Sequence, residues 1–193
     1  MSALQAPSPE IVVVGCSAGG LSALHVLLGG LSKPLAVPMV VVCHSGSEDM
    51  RVFCELLKSR SGLPVQEAEE RLLPEPGRIY VAPSGYHLLL ERDHRFALSV
   101  DPRVAFSRPS IDVLFESAAE VWRQGVLAVL LTGANADGAE GCAKVRRAGG
   151  TVVVQDPDTA QVPMMPAAAL ELAGADHCLP LPEISLLLES LCS

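Results

Sequence analysis

Short runs of β-branched residues alternate along this chain with longer stretches rich in Ala and Leu. The runs expected to form strands include 11–14, 39–43, 126–131 and 151–155. The stretches of helical length that follow them are 21–28, 48–58, 139–148 and 166–173. Because strands repeatedly followed by helices wind into a parallel sheet with helices on both faces, we expect an α/β fold with a doubly wound, mostly parallel sheet.

The middle of the chain departs from this alternation. Residues 78–82, 86–91 and 96–100 form three short apolar segments separated by turn residues, which predicts a small antiparallel excursion at one edge of the sheet. A helix is expected to begin at Pro109, because proline is favoured in the first turn of a helix. A last helix is expected after residues 179–183.

Length and composition bound the organisation of the chain. Its 193 residues are 49% hydrophobic but only 4% aromatic, so the core is expected to consist of Ala, Val and Leu. A chain of this length can bury a continuous core without disulfides. We therefore expect a single domain over residues 1–193, in which residues 1–10 are a weakly ordered lead-in.

Charge and hydropathy exclude several classes of partner. The formal net charge of −8 repels nucleic acid and anionic membrane surfaces. No apolar run reaches the roughly 18 residues that a membrane span requires, and no basic segment leads into an apolar one near residue 1. The prediction is a cytoplasmic protein that neither binds nucleic acid nor inserts into a membrane.

The cysteines do not follow the pattern of a metal site or a disulfide framework. The six are Cys16, Cys43, Cys54, Cys142, Cys178 and Cys192, with no Cys-x-x-Cys pair among them. Cys43 and His44 are adjacent, but two ligands are too few for a zinc site. We expect reduced thiols and no metal.

The turn after the first strand carries a hydroxyl group. Gly15-Cys16-Ser17-Ala18-Gly19-Gly20 joins the run at 11–14 to the first helix. Its Gly-x-Ser-x-Gly pattern is typical of a nucleophile elbow, which would expose Ser17 at the edge of the sheet. Two other interpretations remain: an altered Gly-x-Gly-x-x-Gly turn that binds a dinucleotide, or a serine that caps the following helix.

Two further polar residues are expected at the same edge of the sheet. His44 ends the second strand and Asp137 follows the strand at 126–131, and the carboxyl ends of parallel strands share one edge. With Ser17 they would supply a nucleophile, its base and the carboxylate that orients the base. Each has a structural alternative: His44 as a hydrogen-bonded histidine at a strand end, and Asp137 as a helix cap in a capping box with Glu140.

The residues at the strand ends, and the order of the three candidates along the chain, argue against a dinucleotide-binding fold and an ordinary α/β-hydrolase. A dinucleotide-binding fold requires an acidic residue near the end of the second strand, where this chain has Cys43-His44-Ser45-Gly46. Ordinary α/β-hydrolases carry their triad in the order Ser, Asp, His, whereas the order here is Ser17, His44, Asp137. The sequence therefore favours a serine hydrolase of a different family.

The motifs taken together resemble those of a known family. The chain has Gly-x-Ser-x-Gly-Gly after the first strand, Arg-Pro-Ser-Ile-Asp-Val-Leu-Phe at 108–115 and Leu-Thr-Gly-Ala-Asn-Ala-Asp-Gly-Ala at 131–139. With the order Ser17, His44, Asp137, they are similar to the catalytic domain of the chemotaxis protein-glutamate methylesterases, the CheB family. The similarity extends from the first strand to the end of the chain.

This resemblance implies a fold, an activity and partners. The fold would be a parallel sheet of about seven strands flanked by helices, with an antiparallel pair at one edge. The activity would be hydrolysis of γ-glutamyl methyl esters on the cytoplasmic helices of methylated chemoreceptors, commonly with deamidation of receptor glutamines, and no cofactor would be needed. The alternative functions are a non-catalytic docking module of a chemosensory array and an esterase that acts on a non-receptor substrate.

The chain also departs from the family pattern. Two-domain members carry an N-terminal phosphoacceptor domain, whereas ten residues precede the first strand here. We therefore expect a stand-alone catalytic domain, controlled by a separate response regulator or array protein. Cys43-His44-Ser45-Gly46 stands where the family often has Gln-His-Met-Pro, and Ala134 stands where it has Met, so altered substrate contacts are expected. Met165-Pro166 matches a loop that the family places near the site.

Overall fold

A seven-stranded parallel sheet forms the centre of the molecule. The computed structural model describes residues 8–45 and 49–193. The strands are β1 (Ile11–Cys16), β2 (Met39–Cys43), β3 (Val65–Glu67), β4 (Ile79–Val81), β5 (His87–Leu90), β6 (Phe96–Ser99), β7 (Val126–Leu130), β8 (Thr151–Gln155) and β9 (His177–Leu179). Residues 1–7 of the expected lead-in, and residues 46–48 before the second helix, lie outside the described residues.

The order of strands places β1 at the centre of the sheet. The order is β3-β4-β2-β1-β7-β8-β9, and each neighbouring pair is parallel. Because β1 pairs with β2 on one side and β7 on the other, the loops after these three strands emerge side by side at one edge. The predicted doubly wound α/β sheet of seven strands is confirmed.

Helices cover both faces of this sheet. They are α1 (Gly20–Gly29), α2 (Met50–Ser61), α3 (Ile111–Trp122), α4 (Ala139–Arg147), α5 (Met164–Leu172) and α6 (Leu181–Leu191). Residues of α1, α2 and α6 share one apolar core, and residues of α3, α4 and α5 share the other. Alternate residues of β1 enter opposite cores, which explains why this strand is buried along its whole length.

The middle of the chain differs from its prediction. The segment 78–82 forms β4, which pairs in parallel with β2 and β3 inside the main sheet. The two segments that follow form β5 and β6, an antiparallel hairpin that is a sheet of its own. Leu88, Leu90 and Phe96 of this hairpin are buried in the same core as α3. A buried strand of three residues is too short for its apolar pattern to reveal its pairing partner.

Other differences concern the ends of elements. The first strand continues to Cys16, and α5 begins at Met164, two residues before its predicted start. The helix expected after residues 179–183 is present as α6, which already begins at Leu181. Among the described residues, every helix is too short or too polar to cross a membrane.

Candidate active site

The turn after β1 holds Ser17 at the carboxyl edge of the sheet. The Ser17 amide donates to the Thr132 carbonyl oxygen at 2.9 Å, and the Ser17 carbonyl oxygen accepts from the Gly20 amide at 2.7 Å. The N-cap residue of α1 is Gly19, whose φ of 78° lies in the left-handed region that favours glycine. The Ser17 side chain therefore does not cap α1, and its hydroxyl forms no hydrogen bond with another described residue.

Gly15 lies inside β1 and allows a helix to approach the strand. A Cβ atom at this position would lie 2.4 Å from Ile111 Cγ2, closer than real contacts allow. The first residue of α3 therefore packs directly against the backbone of β1. This contact brings the N-terminus of α3 to the edge of the sheet where Ser17 lies.

His44 follows β2 and contacts Asp137. Its amide donates to the Cys16 carbonyl oxygen at 3.0 Å, which fixes the backbone beside the end of β1. The His44 Nε2 atom lies 2.9 Å from Asp137 Oδ2, but the N–H direction is not aligned for a hydrogen bond. The contact is an ion pair when the imidazole is protonated, and such contacts commonly align only when substrate binds. The Nδ1 atom lies 3.5 Å from Ser107 Oγ.

Asp137 is completely buried at the N-terminus of α3. Its Oδ1 accepts hydrogen bonds from Ser110 Oγ at 2.8 Å and from the Asp112 amide at 3.0 Å, and its Oδ2 accepts from the Ile111 amide at 2.7 Å. Burial alone would raise the pKa of Asp137, but the contacts with His44 and with these donors hold it below its usual value. The carboxylate therefore remains charged beside His44.

A second carboxylate makes the reciprocal contact with α4. The N-cap residue of α4 is Gly138, so the capping box of Asp137 and Glu140 does not form. Instead, Asp112 Oδ1 accepts hydrogen bonds from the Gly138 amide at 2.9 Å and the Gly141 amide at 2.7 Å. Burial, reinforced by the charge of Asp137, raises the pKa of Asp112 to about 7. Each helix start thus binds a carboxylate from the other: Asp137, just before α4, accepts from the first amides of α3, and Asp112 of α3 accepts from amides at the start of α4.

Ser17 and His44 border one cavity of about 450 Å³, between the turn after β1 and α2. Asp137 contacts the same imidazole from the buried side. The amides of Ala18 and Gly19, at the start of α1, have no acceptor among the described residues. The site therefore combines a hydroxyl, an imidazole with a carboxylate behind it, and free N–H donors, which is the set that acyl transfer requires.

Three further residues support this site and were missed from the sequence. Gln161 lines the cavity beside the turn after β1. Thr132 Oγ1 donates to the Ala18 carbonyl oxygen at 2.9 Å and so ties that turn to the end of β7. Ser107 approaches His44, as described above. Gln161 and Ser107 lie in loops without a recognisable motif, whereas the position of Thr132 directly after a strand was an available signal.

Two thiols lie directly before the nucleophile and base candidates. Cys16 and Cys43 are paired in register across β1 and β2, and both are buried and free. The hydrogen bond with the Cys43 thiol, together with burial, raises the pKa of Cys16 well above its usual value. The Cys16 thiol is therefore neutral, and both cysteines pack as small core residues. Within residues 8–45 and 49–193, no three His, Cys, Asp or Glu side chains are grouped to bind a metal ion.

Met165 and Pro166 lie in the first turn of α5 and not in a loop, and this turn packs onto the end of β7. Met165 is fully buried, its amide donates to the Gly133 carbonyl oxygen at 3.0 Å, and its side chain fills the space where Gly133 lacks a Cβ. Ala134, which follows Gly133 in the chain, is exposed at the same edge of the sheet.

The chain is similar to known proteins over most of its length. The family model described as CheB methylesterase matches residues 12–188. A Leptospira interrogans protein, provisionally named protein-glutamate methylesterase/protein-glutamine glutaminase, is 44% identical over 176 residues, which are 91% of each protein. A Symbiobacterium thermophilum protein-glutamate methylesterase/protein-glutamine glutaminase is 38% identical over 176 residues. That alignment covers 91% of this chain but 49% of the Symbiobacterium protein.

A solved structure has the same fold. It is the crystal structure of the Thermotoga maritima CheB methylesterase catalytic domain, with a TM-score of 0.90 and 36% sequence identity. The match covers 96% of this chain and 100% of that one. From the family model, the relatives and this structure, it follows that the chain belongs to the CheB methylesterase family.

Proposed function

We propose that this chain is a protein-glutamate methylesterase that hydrolyses γ-glutamyl methyl esters on the cytoplasmic helices of chemoreceptors. The observation that carries the proposal is the cavity shared by Ser17 and His44, with the Asp137 carboxylate 2.9 Å from His44 Nε2. The names of the relatives support the choice of substrate, since each specifies a protein glutamate or glutamine.

In the first step Ser17 Oγ attacks the ester carbonyl carbon while His44 removes the hydroxyl proton. Because Asp137 faces Nε2, the nitrogen left to act as the base is Nδ1. This atom faces Ser107 Oγ at 3.5 Å in the resting site, so the ring or the Ser17 hydroxyl moves before the proton is transferred. The protonated imidazole then passes its proton to the departing oxygen, which leaves as methanol.

In the second step water completes the hydrolysis. His44 removes a proton from water, the water oxygen attacks the acyl-enzyme, and the imidazolium returns the proton to Ser17 Oγ as the bond to the γ-carboxyl group breaks. The free amides of Ala18 and Gly19 stabilise the oxyanion in both steps. Glutamine deamidation would follow the same route with ammonia as the leaving group. Both leaving groups need only a proton from His44, so the mechanism requires no cofactor.

The partners follow from this substrate. We place the reaction in the cytoplasm, where the methylated receptor helices lie, and we assign control of the enzyme to a response regulator or an array protein. Family membership supports these assignments.

Methanol release from a methylated receptor cytoplasmic fragment tests the proposal. The Ser17→Ala variant should release less than a tenth as much methanol as the wild type, because the nucleophile is lost. Its urea unfolding curve should stay unchanged, because the Ser17 hydroxyl bonds to no described residue. Ser59→Ala, at an exposed serine of α2, is the matched control and should retain full activity.

Other outcomes distinguish the alternative functions. Methanol release by Ser17→Ala at more than a tenth of the wild-type rate would overturn the assignment of Ser17 as the nucleophile. Hydrolysis of small esters without methanol release from the receptor would indicate an esterase with another substrate. Receptor binding without any hydrolysis would indicate a docking module.

A further inference from the structure

A second cavity also borders His44. It measures about 270 Å³ and lies between the end of β2 and the segment 103–109. Cys43, His44 and Ser45 line both this cavity and the one that contains Ser17. The second is called the arginine cavity here, because its other polar lining residues are Ser84, Arg103, Ser107 and Arg108. A group bound in it would lie next to the reacting ester.

Among the described residues, the arginine cavity is lined by two cationic side chains and by no anionic one. The chain has 22 Asp and Glu against 14 Lys and Arg, yet no described residue that lines either cavity is a carboxylate. Neither Arg103 nor Arg108 forms an ion pair with a described residue. Arg108 Nη1 donates to the carbonyl oxygens of Val100 and Asp101, but its buried Nε has no acceptor in the described chain. Because that nitrogen is buried, it adds no donor to the cavity, and the charge that the cavity presents comes from Arg103 and from the rest of the Arg108 guanidinium.

An exposed aromatic side chain lies beside these arginines. Phe106 contributes to the lining of the arginine cavity and is 96% exposed. A free anion would use the arginines alone, whereas a protein that carries an anionic side chain would also cover Phe106. The combination of guanidinium groups, hydroxyls and an exposed ring therefore favours a carboxylate attached to a protein surface.

We propose that the arginine cavity binds an Asp or Glu side chain of the substrate protein, one helical turn from the esterified glutamate. This inference rests on the proposed function. Residues three or four positions apart lie on one face of a helix, with Cβ atoms about 5–6 Å apart. Because His44 borders both cavities, an ester in one and a carboxylate in the other would be neighbours, as side chains one turn apart on a helix are. The second carboxylate would select which glutamate is hydrolysed.

A pair of helical peptides tests this subsite. Each carries one γ-methyl glutamate, and the two differ only in Glu or Gln four positions away. The KM of the Glu peptide should be about tenfold lower at equal kcat, because a charged hydrogen bond is formed equally in the ground and transition states. Arg103→Gln should abolish that difference, and Arg103→Lys should restore part of it. Arg51→Gln, at an exposed arginine of α2 outside both cavities, should leave it unchanged.

Binding measurements separate this inference from the proposed function. In the Ser17→Ala background, fluorescence anisotropy should show that the Glu peptide binds about tenfold more tightly than the Gln peptide. Adding Arg103→Gln should make the two affinities equal. Equal affinities before that change, or an equal loss for both peptides after it, would overturn the subsite. Absence of methanol release by the wild type would count against the proposed function alone. Arg103 is exposed, so thermal unfolding should confirm that the variant folds.

Discussion

At the level of single residues, the proposed base depends on a carboxylate that is held by a helix. Asp137 accepts hydrogen bonds from the start of α3 and contacts His44. The sequence was sufficient to place Ser17, His44 and Asp137 at one edge, because parallel strands end together. It was not sufficient to choose between capping and catalysis, because capping depends on which backbone begins the helix. In the fold, Gly19 and Gly138 take that position.

Replacing Asp137 by Asn should lower methanol release by a factor on the order of 10⁴, by analogy with the serine-protease triad, because an amide no longer holds the imidazole in the required tautomer. The variant should also unfold more easily, since an amide NH₂ at the Oδ2 position would face the Ile111 amide, donor against donor. Turnover and urea unfolding measure the two effects. Ser110→Ala, which removes the hydrogen bond to Asp137 and the N-cap bond from the Val113 amide but keeps the charge of Asp137, should reduce turnover far less. Turnover close to that of the wild type in a folded Asp137→Asn protein would leave this residue a purely structural role.

At the level of elements, prediction succeeded where the local pattern was long and failed where it was short. The strands β2 and β8 have the predicted bounds, because runs of five β-branched or apolar residues are a strong local signal. The three-residue β4 carries no such signal, and its parallel pairing depends on neighbours distant in the chain. The contact of Gly15 with Ile111 also depends on residues distant in the chain. The local sequence predicts only that Gly15 belongs to a turn.

Replacing Gly15 by Ala should lower the free energy of unfolding by about 1–3 kcal/mol, because the new methyl group overlaps Ile111 Cγ2 in a packed core. Gly29→Ala is the matched control. Gly29 ends α1 with open space around it, so alanine there should leave stability unchanged or raise it. Urea unfolding of both variants measures the difference. Equal stability of the two would show that α3 does not press on β1 in the way described.

At the level of the whole molecule, the exchange of carboxylates between α3 and α4 makes stability depend on pH. The pKa of Asp112 is about 7 in the folded protein and 3.8 is its ordinary value, so the folded state binds this proton more tightly. The stabilisation is complete below the ordinary value and is lost as the pH rises through about 7. The lowered pKa of Asp137 acts with the opposite sign, but only in more acidic solution.

The free energy of unfolding of the wild type should therefore fall between pH 5 and pH 8. In Asp112→Asn the free energy of unfolding should fall less over this range. The asparagine side chain still accepts from the Gly138 and Gly141 amides but has no proton to lose. Urea unfolding of both proteins at the two pH values gives the comparison. The same fall in the two proteins would contradict the assignment of this proton to Asp112.

The position of β7 also determines when the protein becomes active during its synthesis. Ser17 and His44 follow the first two strands, whereas Asp137 follows β7, which is made much later yet pairs with β1 at the centre of the sheet. A growing chain on the ribosome thus carries the proposed nucleophile and base without the carboxylate that orients them. Esterase activity would begin only when β7 has emerged and inserted beside β1. The nascent protein would therefore be inactive until its central strands have assembled.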